Sequence, residues 1–526
     1  MSKLLYIDLT KKQIIKKQNA FEDYGRGLIA KIIREEVSPN IDRLDDENVI
    51  VLVPGLFSGT LAPSTGRLLV GTKSSKDEGI QISNIAGTIS QKLASLNIDA
   101  IVISGRNTEE IPLTLLIEEN HIELVNINNI KGMNVSSTID IIQDLYGKEC
   151  GVIGIGPSGE KLLPISTLFS TYPEGSPSFY CARNSIGDIF GYKGLKAITV
   201  KNKKHFNAPV YDAENMKRCS KELSKIIIEH PICGKALPGL GSITLMKMLS
   251  QGKNIDMSEL NSNNNIKNNY IDTEFKINRT CSPLCVVGCL NRHTKTGEDY
   301  YSAPAESEAY AALNECFGIN DKQYVKNFTN RCFELGIDCI EFIFSCALYF
   351  NLQEIEGNIK EMDKALEEVK NLTLVGRVLG SKTDGMYSLF REKEKYKKMV
   401  SKPSIVEEKN FNIDIQSKTI NLPGLSDLDY LYAYIITLEN LGFCLFASFA
   451  FIDNPKALTL LSKLFFYKTG IESSEKSILD YALKTIKNEK EYESEVRLKN
   501  VSKTIPNFVK VLYRYFHKDE TKVYNE

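Results

Sequence analysis

Cys281, Cys285 and Cys289 fall in the stretch CSPLCVVGCLNRH, each separated from the next by three residues, so a turn or short helix can aim all three sulfurs at one centre. Thiolates are the usual ligands of iron–sulfur clusters, typically four for a cubane. A distant fourth is available in Cys444 of ENLGFCLF, where a glycine admits close backbone approach and apolar neighbours would shield a cluster. His293 closes the same stretch, and zinc is also held by Cys and His, usually through C-x2-C knuckles; spacing alone therefore leaves zinc open beside iron. Three unrelated core cysteines fit such crowding worst. Cys332, Cys339 and Cys346, by contrast, recur every seven residues through RCFELGIDCIEFIFSCAL, which suits one face of helical segments.

The elements that must position these thiols belong to a chain of 526 residues, long enough for two or three domains. Lys plus Arg (65) nearly balance Asp plus Glu (66), which gives no electrostatic pull toward nucleic acid or membrane. The opening MSKLLYIDLTKKQ turns polar too early for a secretory leader, and no apolar run approaches a membrane span. A cytoplasmic chain is the expectation, with its twelve cysteines reduced and free to act as ligands or core residues.

Up to about residue 205 short β-branched runs dominate, namely NVIVLV, RLLVGT, DAIVISG, GVIGIG and LKAITVK, bounded by Gly, Pro and Ser. Helices interrupt them near Tyr24 to Glu36 and at SSTIDIIQDLYG, where Ser137 and Asp140 read as a capping-box start. Beyond residue 207 the apolar spacing becomes helical, as in Met216 to Ile228, Tyr324 to Leu335 and Ser473 to Ile486. Polar stretches at Asn261 to Tyr270 and at 391–411 read as boundaries. No internal repeat is visible in the sequence. The expected fold class is α+β: a sheet-rich domain over 1–205, a helical domain over 206–395 carrying the Cys cluster, and a shorter helical domain over 396–526 with the fourth Cys.

With YGRGLIAKII, GTLAPSTGRLLVGTKSS, DAIVISGR, IGPSGEKLL, GYKGLKAITV, CSPLCVVGC and LGFCLF in this order, the chain resembles the tungsten-dependent aldehyde ferredoxin oxidoreductase family. The resemblance is nearly continuous from residue 3 to about 205, continues to about 350 and returns around 439–448. It implies a sheet-rich base for a tungsten or molybdenum bis-pterin, two helical domains closing over it, and a [4Fe-4S] cluster on Cys281, Cys285, Cys289 and Cys444 relaying electrons to ferredoxin. Pairing into homodimers is common in the family.

Carried over position by position, the resemblance assigns pterin contact to Gly66 and Arg67, to Asn84 and Gly87 of NIAG, and to Arg183 of ARNSIG. An arginine's planar fork and a glycine's open backbone both suit an anionic phosphate-bearing cofactor, although any arginine by itself more commonly makes an ordinary ion pair. Glu308 falls on the acidic position of the family's PEYET segment, which implies proton transfer during aldehyde oxidation. Its neighbour Glu306 suits a solvated helix start equally well. Asp338 of LGIDCIEF matches an aspartate near the pterin ring, and is also a natural helix cap. Glu439 stands where the second pterin motif has Asp.

Departures accompany the match. The cysteine spacing is C-x3-C-x3-C where the family has C-x2-C-x3-C, and the family segment carrying DPRG and an active-site histidine has no counterpart between Asn410 and Leu438. The five histidines, His121, His205, His230, His293 and His517, all lie elsewhere. Two functions are therefore expected as alternatives. One is an oxidoreductase acting on an aldehyde-like substrate with a ferredoxin-like acceptor. The other is a non-catalytic iron–sulfur homologue serving electron transfer or assembly.

Overall fold

The β-branched runs pair into two six-stranded sheets. The structure is a computed structural model that describes residues 3–74, 79–173, 177–178, 185–202, 206–241, 275–278, 280–290, 292–295, 306–389, 427–496, 509 and 512. The first sheet holds β1 (Lys3–Asp8), β2 (Gln13–Gln18), β3 (Ile50–Pro54), β4 (Leu68–Lys73), β5 (Ile80–Ile85) and β6 (Ile98–Ser104), in the order β2-β1-β6-β3-β4-β5. The second holds β7 (Leu113–Glu118), β8 (Ile122–Asn126), β9 (Gly151–Ile155), β10 (Leu168–Thr171), β11 (Pro177–Ser178) and β12 (Leu195–Lys201), in the order β11-β10-β9-β12-β7-β8.

These two orders are the same topology. Each sheet begins with an antiparallel hairpin whose first strand pairs in parallel with the sixth; the sixth then pairs antiparallel with the third, which leads the meander. Helices occupy matching places. α1 (Gly25–Glu36) and α3 (Val135–Tyr146) each follow the hairpin, while α2 (Ile89–Ser95) and α5 (Gly187–Tyr192) each precede the sixth strand. The internal repeat that sequence reading misses is thus present as topology. It is invisible in sequence because pairing order is written in backbone hydrogen bonds, which tolerate any residues of similar apolar pattern.

Inward side chains of both sheets, including Leu5, Ile50, Leu115 and Ile153, share one apolar core with Ile89 and Leu93 of α2 and with Ile189 and Phe190 of α5. α1 covers the outer face of the first sheet and α3 that of the second. α3 starts earlier than its sequence suggests: Asn134, not Ser137, is the N-cap, its side chain accepting the Ser137 N–H at 2.9 Å. Asparagine caps as well as serine, so the upstream residue closes the helix one turn sooner. A short α4 (Pro157–Glu160) follows β9.

The helical part forms two further cores. α6 (Ala213–Glu229), a π-helical turn at Pro231–Ala236 and α7 (Leu237–Leu240) pack with residues that come much later in the chain. α8 (Glu306–Phe317), α9 (Lys322–Leu335), α10 (Cys339–Leu352), α11 (Ile359–Lys370) and α12 (Leu374–Gly380) form the other core, in which Cys332, Cys339 and Cys346 are fully buried, and α13 (Lys382–Leu389) packs its Met386 on Leu348 of α10. The late partners of α6 are α14 (Asp427–Leu441), α15 (Ser448–Asp453), α16 (Ala457–Thr469) and α17 (Glu475–Glu495). A small hairpin, β13 (Phe275–Asn278) with β14 (Arg292–Lys295), flanks the cysteine loop. Among the described residues no helix is long and apolar enough to cross a membrane.

Candidate metal centre

Three backbone segments meet to build the site. Gly55 and Gly442 touch so closely that a Cβ on Gly55 would lie 2.0 Å from the Gly442 Cα, and Gly442 adopts φ +87°, a conformation suited to glycine. That contact lets the turn after β3 run alongside the end of α14. Leu56 N–H donates to Asn440 O (3.2 Å), Phe57 N–H to Leu441 O (2.9 Å), and the Gly66 and Arg67 N–H groups to Gly442 O (3.2 and 3.3 Å).

Ser64 joins the third segment. Its carbonyl accepts the Cys444 N–H (2.8 Å), its own N–H donates to Leu284 O (2.8 Å), and its Oγ accepts the Val286 N–H (3.1 Å). Ser282 Oγ adds a bond to Gly87 O (3.2 Å) and lies 2.5 Å from where a Gly66 Cβ would stand, so Gly66 must be glycine. Cys281, Cys285 and Cys289 are thereby brought to Cys444 across more than 150 residues of chain. Sequence reading overlooked Ser64. Its role is carried by backbone groups, whose partners leave no signal in residue type.

The four sulfurs share one electrostatic environment. Cys281 hydrogen-bonds Cys285, Cys289 lies by both Cys444 and Cys285, and the Arg67 guanidinium bears on all four thiols. The bond from Cys281, with further donation from the Gly288 (3.5 Å) and Val287 N–H groups, pulls the Cys285 thiol down to about 6 despite its burial. The same bond, followed by burial, pushes Cys281 up, and burial likewise raises Cys289 and Cys444 against the pull of Arg67. The surroundings are apolar: Val287 is fully buried, and Cys285 and Cys289 border the core of α6 and α14 to α17. Among the described residues no three His, Cys, Asp or Glu side chains converge as a site for a single metal ion. His293 lies on β14.

Arg67 is held from the far side. Its Nε donates to Asn84 Oδ1 (2.5 Å) and its Nη2 to Asn84 O (3.0 Å); Asn84 Nδ2 donates to Glu439 Oε1 (3.3 Å). Arg26 then pairs with Glu439 (2.9 Å) and, through two nitrogens, with Glu489 (2.6 and 2.9 Å). Burial opposes the Arg26 charge, and the two carboxylates outweigh it and hold its pKa well above the ordinary value. Arg67, Asn84 and Glu439 are thus brought together, with Arg26 and Glu489 as partners that sequence reading did not name. Arg26 stands in YGRGL, and nothing in its spacing ties it to carboxylates more than 400 residues further along the chain.

Gly87, at φ +114°, packs against β10, where a Cβ would meet Ser170 Oγ at 2.1 Å. That Ser170 Oγ is buried with no hydrogen-bond partner among the described residues. Asp338 caps α10, accepting the Ile340 and Glu341 N–H groups at 3.1 Å each. Glu308 occupies the first turn of α8, which packs on α9 and α10 and so belongs to a different core from the thiols. Arg183 lies outside the described residues.

Residues 4–202 match the family model of the aldehyde ferredoxin oxidoreductase N-terminal domain. The tungsten-containing aldehyde ferredoxin oxidoreductase of Pyrococcus furiosus is 28% identical over 345 residues, which cover 64% of this chain and 55% of that protein. The Thermococcus kodakarensis protein of the same name is 27% identical over 322 residues, covering 60% and 52%. The chain thus spans about half the length of the curated relatives it matches. A solved structure, the active-site complex BamBC of benzoyl coenzyme A reductase in complex with 1,5 dienoyl-CoA, aligns over 98% of this chain and 94% of that chain, with a TM-score of 0.74 at 18% identity. At that identity the likeness is one of fold.

Proposed function

We propose that the chain, whose residues 4–202 match the aldehyde ferredoxin oxidoreductase N-terminal domain, is an oxidoreductase of that family built around a thiol-held [4Fe-4S] cluster. Cys281, Cys285, Cys289 and Cys444 are the ligands in this reading, and the carrying observation is the Cys444 N–H bond to Ser64, which brings the fourth thiol to the other three. The donor set fits. It comprises four thiols in an apolar wall, one already biased to thiolate, with Arg67 offsetting part of the negative charge that thiolates and sulfide would bring.

For the second cofactor, a tungsten or molybdenum bis-pterin, the assigned residues are Gly66, Arg67, Asn84, Gly87, Arg183, Asp338 and Glu439. One feature favours a polar guest near Gly87: Ser170 Oγ, against which Gly87 packs, is buried without a partner among the described residues. When bound, such a group supplies two-electron oxidation of a carbonyl carbon with oxygen taken from water. The chain's own contributions would then be to seat it on glycine backbone and to hold the Arg67 guanidinium in place through Asn84; Glu308, on α8 in the neighbouring helical core, would be the carboxylate that moves a proton. The substrate class is an aldehyde-like carbonyl compound and the electron acceptor a ferredoxin-like protein.

A second reading, a non-catalytic iron–sulfur homologue, is favoured by one observation. Arg67, Asn84, Glu439, Arg26 and Glu489 satisfy one another without any guest. Elemental analysis separates the two. Protein purified without oxygen from a host given both tungstate and molybdate is expected to carry about four irons per chain together with tungsten or molybdenum. Iron without either supports the second reading, and zinc without iron overturns both.

A further inference from the structure

Cys233 is a fully buried thiol that the site as described does not use. It sits in the π-helical turn Pro231–Ala236, and two features fix that turn. His230 Nδ1 accepts the Ile232 and Cys233 N–H groups (3.2 and 3.3 Å), while Gly234 presses so closely on the Ile228 carbonyl that a Cβ would lie 1.8 Å from its oxygen. His230 Nε2 in turn lies 3.4 Å from Asp453 Oδ2, tying the turn to the end of α15.

The Cys233 Sγ–H donates to the Phe446 carbonyl at 3.2 Å, and the Ala450 N–H donates to Cys233 Sγ. The Phe446 carbonyl belongs to the peptide that ends in the Ala447 N–H. That N–H bonds the Cys444 carbonyl at 3.0 Å and also faces the Cys444 sulfur, as does the Phe446 N–H. A donor placed on a peptide oxygen polarises that peptide and strengthens what its N–H gives, since linked hydrogen bonds reinforce one another. Hydrogen bonds to a ligand sulfur, in turn, are among the levers that set a cluster's reduction potential.

We propose that Cys233 is a positioning residue for the thiol centre: through the peptide between Phe446 and Ala447 it orients and strengthens the N–H donation to Cys444 and so raises the reduction potential of a cluster held there. This rests on the reading that the four thiols bind a cluster. Donation to sulfur favours the reduced, more negative state, so losing the thiol lowers the potential.

The test is a redox titration of the anaerobically purified, iron-loaded full chain, followed by the electron paramagnetic resonance of the reduced centre. Cys233→Ala is expected to lower the midpoint by up to about tenfold in the reduction equilibrium, which is 59 mV for a one-electron couple. Cys233→Ser keeps a donor and is expected at or above the wild-type value. Cys219→Ala is the packing control: Cys219 is buried in the same core and donates to Leu460 O (3.4 Å), a carbonyl on α16, and its loss should leave the potential unchanged. An unshifted Cys233→Ala, a Cys233→Ser midpoint below wild type, or an equal shift in Cys219→Ala overturns the assignment. If Cys233→Ala does not fold, the sign of the Cys233→Ser shift decides alone. Iron-free wild-type protein would instead sink the cluster reading itself, an outcome visible before any variant is made.

Discussion

Within the site, Cys281 and Cys285 divide one proton unequally. The bond from Cys281 favours the charged form of Cys285 and lowers its thiol to about 6, below the ordinary cysteine range. A thiol whose folded value is depressed gains its stabilisation at higher pH and loses it as pH falls through about 6. In metal-free protein, iodoacetamide should therefore label Cys285 before Cys281, Cys289 and Cys444, at a rate that falls away below about pH 6 and is nearly flat above 7. Cys281→Ala should return Cys285 toward ordinary behaviour and cut its labelling at pH 7 by roughly tenfold. Peptide mapping across pH reads both outcomes; equal labelling of all four thiols would remove the hydrogen bond from the account.

At the scale of elements, the meeting of the β3 turn with the end of α14 depends on two glycines. Gly442→Ala meets Gly55 Cα at 2.6 Å and forces a side chain into φ +87°. The left-handed backbone alone costs about 1–2 kcal/mol, and the backbone clash adds to it. The expected result is a lowered unfolding midpoint and loss of iron, because the displaced loop carries Cys444 away from Ser64. Gly132→Ala is the contrast: it has φ +71° with nothing near the added methyl, so it should cost stability modestly and leave iron content intact. Iron per chain and denaturant midpoints, measured together, distinguish strain from misplacement of the ligand.

Across the whole molecule, Arg26 ties α1 to α14 and α17, spanning 413 residues to Glu439 and 463 to Glu489. Arg26→Ala strands two largely buried carboxylates, and breaking such a pair from one side typically costs about 3–5 kcal/mol. Arg26→Ala with Glu439→Gln and Glu489→Gln should recover part of that loss, since no charge is then left unpaired. Urea unfolding of the metal-free chain would show it; a single variant as stable as wild type would mean that the carboxylates find water instead.

The residues alone determined much of this. Runs such as NVIVLV and LKAITVK became Ile50–Pro54 and Leu195–Lys201, because β-branched segments bounded by turn residues have few other ways to bury themselves. Cysteine is rare and chemically distinct, so Cys281, Cys285, Cys289 and Cys444 stood out as candidates, as did the polar trio Arg67, Asn84 and Glu439 within the resemblance. What only the tertiary structure decided lies in backbone contacts and long-range pairs: the doubled sheet topology, the Ser64 junction, the Gly55–Gly442 approach, and Arg26 closing on Glu439 and Glu489. Every peptide apart from those at proline carries the same N–H and C=O, so residue types cannot say which distant peptides will bond. That choice is made when the apolar faces of the sheets and of α14 and α17 pack and bring those groups into reach.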